Sequence, residues 1–175
     1  MQNRQKQKES GGNVGKFGLA GFMRVAIAED GKLVADSGLV HNVVTDYGLD
    51  EGLGQRLLGG SPYGLYVALG TGGITATSHT ILTNEITHVS TQRDQASTSS
   101  ATSASAAGVT ARWYGTLSSS ESRFSASTTI GNIGVYASSA TNSSTLLCGA
   151  TYSSSGLNTN QDVNYTYEWQ FVTTT

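Results

Sequence analysis

The chain has 175 residues with ten Lys+Arg against twelve Asp+Glu, a formal net charge of −2, and so lacks the basic field of a nucleic-acid or membrane-surface binder. Charged residues make up only 13%, roughly half the ~25% usual for soluble domains, and 22 Gly, 23 Ser and 22 Thr take their place, which excludes a helical bundle. Cys148, the single cysteine, cannot make an internal disulfide, and no apolar run approaches the ~18 residues of a membrane span.

Gly and Ser/Thr with scattered Tyr and Val suit short strands joined by turns, so the expected class is mainly β, an antiparallel β-sandwich of about seven strands. The segment Met1–Lys16 carries Arg4, Lys6, Lys8 and Lys16 against Glu9 alone and has almost no apolar content. It reads as a flexible basic arm ahead of a single domain over 17–175. No apolar run follows Met1–Gly12, so a secretory signal is not expected, and assembly in a reducing cytoplasm is. Four cations are too few for a DNA-binding tail, and an acidic protein neighbour is the better match.

Phe22–Ala28 and Leu33–Val40 flank Glu29-Asp30-Gly31-Lys32, and an Asp-Gly pair between apolar runs predicts a tight hairpin. Thr45 then caps a predicted helix over about 46–58. Leu49, Leu53 and Leu57 form its apolar stripe, Asp46, Asp50 and Glu51 its acidic start, and Gly59-Gly60 its end. Predicted strands follow over 65–70, 109–117, 128–138, 144–153 and 162–174. In the last, Val163, Tyr165, Tyr167, Trp169 and Phe171 share one face and Asn164, Thr166, Glu168 and Gln170 the other, the pattern of a half-buried strand. Between them Gln95–Gly108 has no periodicity and no bulky residue, and is expected to be a Ser/Thr/Ala-rich loop, either disordered or laid across a partner. Its Ser97, Thr98, Ser99, Ser100, Thr102 and Ser103, with the four arm cations, are the candidate partner-contact residues.

Catalytic chemistry finds no footing. Gly59–Gly64 has Tyr63 where a nucleophile elbow needs its second glycine, and Ala68–Gly73 lacks the Lys-Ser/Thr of a phosphate loop. His41, His79 and His88 stand apart from one another and from Cys148, so no metal or cofactor is expected. Tyr165, Tyr167 and Trp169, with Trp113 and Tyr114, could form a sugar-stacking platform, although alternating aromatics on a strand more often fill a core.

The order of several short pieces resembles a module of tailed-phage virion proteins. Gly38 and Asn42–Leu49 (NVVTDYGL) resemble its "N-h-V-T-x-x-G-L" entry into a helix. Tyr66–Gly72 (YVALGTG) is similar to its "Y-h-A-L-G-T-G" turn, and Thr80–Ile86 (TILTNEI) to its "T-x-L-x-x-E-h" segment. Ile130–Tyr136 and Thr145–Leu147 resemble the paired strands "I-x-E-x-G-h-Y" and "G-T-L-L", with Asn132 departing from the module's Glu. Such modules occur in capsid decoration proteins, tail and baseplate components and fibre bases. The resemblance therefore implies a non-enzymatic structural protein located in the virion. Small size and a charge-poor composition favour a decoration (cement) protein that contacts the major capsid protein as a homo-oligomer, with a trimer matching capsid threefold positions. A tail or fibre-base component is the structural alternative, and a glycan-binding attachment module is the alternative of another class. Neither direct nucleic-acid nor membrane contact is expected.

Overall fold

A computed structural model describes residues 16–54, 65–74, 76–86, 93–104, 108–119, 127–141 and 143–174. The fold is mainly β, two antiparallel sheets packed as a sandwich, with one helix. The first sheet is built from β1 (Lys16–Glu29), β2 (Lys32–Asp36), β3 (Val40–His41), β7 (Ser97–Ala104), β8 (Gly108–Leu117) and β11 (Asp162–Thr174). Its order is β2-β1-β11-β8-β7, with β3 also paired to β1. The second sheet contains β4 (Val43–Val44), β5 (Tyr66–Gly70), β6 (Asp94–Gln95), β9 (Thr128–Tyr136) and β10 (Leu146–Leu157) in the order β4-β10-β9-β5-β6.

The Asp-Gly turn forms as its chemistry predicts. Asp30 and Gly31 both take positive φ, 50° and 74°, and Glu29 pairs with Lys32. The period-two strand, β11, lies at the centre of the first sheet, in register with β1 from Lys16–Thr174 to Ala28–Asp162 and with β8 on its other side. Val163, Tyr165, Tyr167 and Trp169 face the core with Met23, Val25, Ile27 and Leu117 from the neighbouring strands. From the second sheet they meet Val67, Leu69, Ile133, Val135, Cys148 and Ala150.

Two expectations are corrected. The segment Gln95–Gly108 is not a loop along most of its length: Ser97–Ala104 is strand β7, paired antiparallel with β8 from Ser97–Tyr114 to Ala104–Gly108. Small hydroxyl residues carry no pattern of their own, and the long β8 supplies the template that orders them. Nor does the leucine stripe put Leu49 in the core; Leu53 is half-buried and Leu57 lies outside the described residues. The chain turns at Asp46 and winds over Gly48–Gly54 as a π-helix, and residues 55–58 lie outside the described residues. Leu49 is 45% exposed, whereas Gly48 and Gly52 are buried. A Cβ on Gly48 would lie 1.8 Å from the Leu147 carbonyl oxygen, so the helix backbone itself, rather than a row of side chains, rests on β10. Three two-residue strands (β3, β4, β6) and β7 account for the excess over the seven expected.

Candidate functional site

Along β5, β9 and the first half of β10 the second sheet is covered on both sides. Its inner side meets the main core. On its outer side Ala68, Tyr136 and Leu146 form a smaller core with Ile74 and Leu82, which come from the segment between β5 and β6. That segment is fastened by a buried ion pair. Arg93 Nε and Nη2 donate to Glu85 Oε1 and Oε2 at 2.8 and 2.9 Å, with the two side chains 0% and 8% exposed. The guanidinium stacks 3.3 Å above the Tyr136 ring and donates to the carbonyls of Ser138 and Ser143. The Tyr136 hydroxyl accepts from the Leu82 amide at 2.7 Å, and burial, with the nearby Glu85 carboxylate, raises that phenol above its ordinary pKa.

Thr45 is fully buried and caps the helix as expected. Its Oγ1 accepts from the Gly48 amide at 2.9 Å and donates to the carbonyls of Leu146 at 2.5 Å or Leu147 at 3.0 Å. Gly70 and Gly72 approach Thr83 and Asn132 too closely for a side chain. Asn132, fully buried, donates to the Thr83 carbonyl at 3.4 Å, a contact that ties the segment to the sheet.

The outer face of the first sheet is wet. Arg24 is held by Asp36, with Nε to Oδ1 at 2.9 Å, and Arg112 donates from Nε to Glu168 Oε1 at 2.5 Å. Arg24 and Arg112 are half exposed and flank a groove of about 230 Å³ that also includes Leu39 and Thr166. The hydrogen bond from Arg24 and a second from the Gly38 amide lower the Asp36 carboxyl to about 2. At one end of the sandwich an apolar cavity of about 210 Å³ is lined by Leu53, Leu65, Trp113, Leu147, Trp169 and Phe171, among others.

The candidate residues fall as follows. Arg4, Lys6 and Lys8 lie outside the described residues, and Lys16 opens β1 opposite Thr174. Ser97, Thr98, Ser99, Ser100, Thr102 and Ser103 are brought together along β7, at the edge of the first sheet. Tyr165, Tyr167 and Trp169 point into the core with 2%, 2% and 7% exposure, and Trp113 stacks on Tyr167 at 5.3 Å, so no sugar platform exists on that strand. His41 lies against the Phe22 ring at 4.4 Å, His79 sits in the segment after β5, and His88 lies outside the described residues. Among the described residues no three metal-ligating side chains cluster. Gly59–Gly64 also lies outside the described residues. Cys148 is fully buried beside Tyr167, and burial pushes its thiol up to about 12, so it stays protonated at neutral pH.

Sequence reasoning missed the edge position of β7 and the Arg93–Glu85 clamp. The one available signal for the clamp was two opposite charges eight residues apart in a chain that has few. The chain matches no protein-family model, no curated protein and no solved structure.

Proposed function

We propose that the chain is a non-enzymatic structural protein of a tailed-phage virion, serving as a decoration protein that clamps neighbouring shell subunits. The observation that carries this reading is the ordered motif series from Gly38 to Phe171. The residues that make up the series occupy demanding positions: Thr45 and Gly48 under the helix, Gly70 and Gly72 against Thr83, and Leu82, Glu85 and Tyr136 in the outer clamp. They bear on a shared fold more than on a shared ligand. The composition supports the same reading, because a surface poor in Lys and Glu loses little when desolvated against a neighbour.

Quantitative mass spectrometry of purified particles tests it. A decoration protein is present at a copy number comparable to the shell protein, and a chain absent from highly purified particles overturns the proposal. A copy number of tens or fewer transfers the chain to the tail or fibre base. Deleting Met1–Gly15 and measuring affinity for bare capsids then asks whether the basic arm contributes to binding.

A further inference from the structure

Sheets in soluble proteins guard their outer strands, because a row of unpaired N–H and C=O groups is a template for another strand. The usual guards are shortness, charge, proline or a bulge. Here β2, β4, β6 and β7 end the two strand orders. β4 and β6 are two residues long. β2 has five residues, begins at Lys32, ends at Asp36 and sits on a register shift between Ile27 and Ala28. β7 is different: it runs for eight residues, Ser-Thr-Ser-Ser-Ala-Thr-Ser-Ala, with no charge and no proline. Its one register shift lies at the start, between Ser97 and Ser99, and from Ser99 to Ala104 it follows β8 without interruption. Among the described residues no strand pairs with its outer side.

We infer that β7 is a homotypic docking edge, pairing antiparallel with β7 of a second copy so that two first sheets join across a twofold axis. Three observations select this occupant. In an antiparallel ladder alternate residues direct their N–H and C=O groups away from the existing neighbour, so the outer side of β7 offers a second ladder of the same kind. An uncharged strand meets its own copy without the like-charge repulsion that opposes self-pairing of most edges. Finally, the described residues offer no other edge of matching length: β2 is shorter and charged at both ends, and β4 and β6 are too short to hold an eight-residue strand. A twofold contact is self-complementary and closes on itself, which limits the assembly to a pair at this edge. The inference does not depend on the virion reading, since it concerns the isolated protein.

Sedimentation equilibrium on the full chain tests it, with a dimer expected. Ser100→Lys and Thr102→Lys place a charge on the shared edge and should each raise the dimer dissociation constant at least ~10-fold while the far-UV spectrum stays unchanged. A cysteine scan makes the test independent of those variants. Ser99→Cys, Ser100→Cys, Ala101→Cys and Thr102→Cys are oxidised in turn, with Cys148 silent because it is fully buried. Covalent dimers should form at one or two adjacent positions, those nearest the twofold, and not with Thr116→Cys on the exposed sheet face. A monomer at every concentration overturns the inference, as does a dimer that neither lysine weakens and no cysteine traps. A trimer overturns it too, because isologous edge pairing cannot generate threefold symmetry.

Discussion

The two sheets solve the same problem in opposite ways. The second sheet is buried on both faces along β9 from Ile130 to Tyr136 and the first five residues of β10, and the segment after β5 lies over it with its own small core and its own ion pair. The first sheet buries one face and leaves the other to water, with Arg24, Arg112 and Tyr114 about half exposed and β7 at its rim. Both carry arginine–carboxylate pairs, but these do different work. Arg93 is enclosed and has a partner at each of its three nitrogens, so it fixes one conformation of the covering segment. Arg24 lies in solvent, where water and salt compete for the same bonds. Thr45, Gly48, Gly70, Leu82, Glu85 and Tyr136 gather on the enclosed sheet and the segments resting on it, while the other sheet presents an open face.

Breaking the enclosed pair should have the largest effect. Arg93→Ala leaves Glu85 buried without its counter-ion and removes the cation over Tyr136, and is expected to destabilise the fold by about 3–5 kcal/mol. Urea unfolding followed by tryptophan fluorescence measures this. The double variant Arg93→Met/Glu85→Gln should recover part of the loss, since no buried charge remains. If Arg93→Ala is no worse than Arg24→Ala, the distinction between an enclosed and an open sheet has failed.

Next in size is the helix contact with β10. Gly48→Ala drives a methyl into the Leu147 carbonyl and must push the helix off the sheet, for an expected loss of about 1–3 kcal/mol. Thr45→Ala removes the cap and the hydroxyl that serves two β10 carbonyls, an expected loss of about 1–2 kcal/mol, and Thr45→Ser should recover most of it. Gly156 is the control. A Cβ there meets nothing within 4 Å, so Gly156→Ala should be neutral or stabilise by ~0.4–1 kcal/mol through the unfolded chain. Parallel thermal melts rank the three sites.

Local chemistry made part of this molecule legible in the letters. The positive φ demanded by Asp30-Gly31, the alternation of Val163 to Phe171 and the capping hydroxyl of Thr45 each depend on neighbours within a few residues, and each appears in the structure as read. What could not be read depends on contacts made far along the chain. Ser97–Ala104 has no pattern of its own and becomes a strand because β8 is there to pair with it. The leucine spacing does not reveal that Leu49 stays exposed, since Gly48 and Gly52 let the helix backbone approach more closely than a side chain would allow. The Arg93–Glu85 pair gives no sign in sequence that it is buried, because its enclosure requires Ser138 and Ser143, 45 and 50 residues away from Arg93, to close around it. The candidate contact segment was picked out by what it lacks, and its position at a sheet edge follows from topology alone.

The smallest effect belongs to the open pair, and its pH dependence separates the two kinds of ion pair. The bonds from Arg24 and the Gly38 amide lower the Asp36 carboxyl from its ordinary 3.8 to about 2, so the folded state binds this proton less tightly than the unfolded chain does. The stability that Asp36 contributes is therefore complete well above pH 3.8, and it is lost as pH falls from there through about 2, below which both states are protonated. Asp36→Asn should unfold slightly earlier than the parent at neutral pH in low salt, and this difference should shrink as salt is added. It should also vanish in acid titrations taken to the lower limit. A difference that persists undiminished at pH 2 would mean that Asp36 acts by packing the turn at Ser37-Gly38 rather than through its charge. The exposed sheet would then be held at that edge by the shape of the turn.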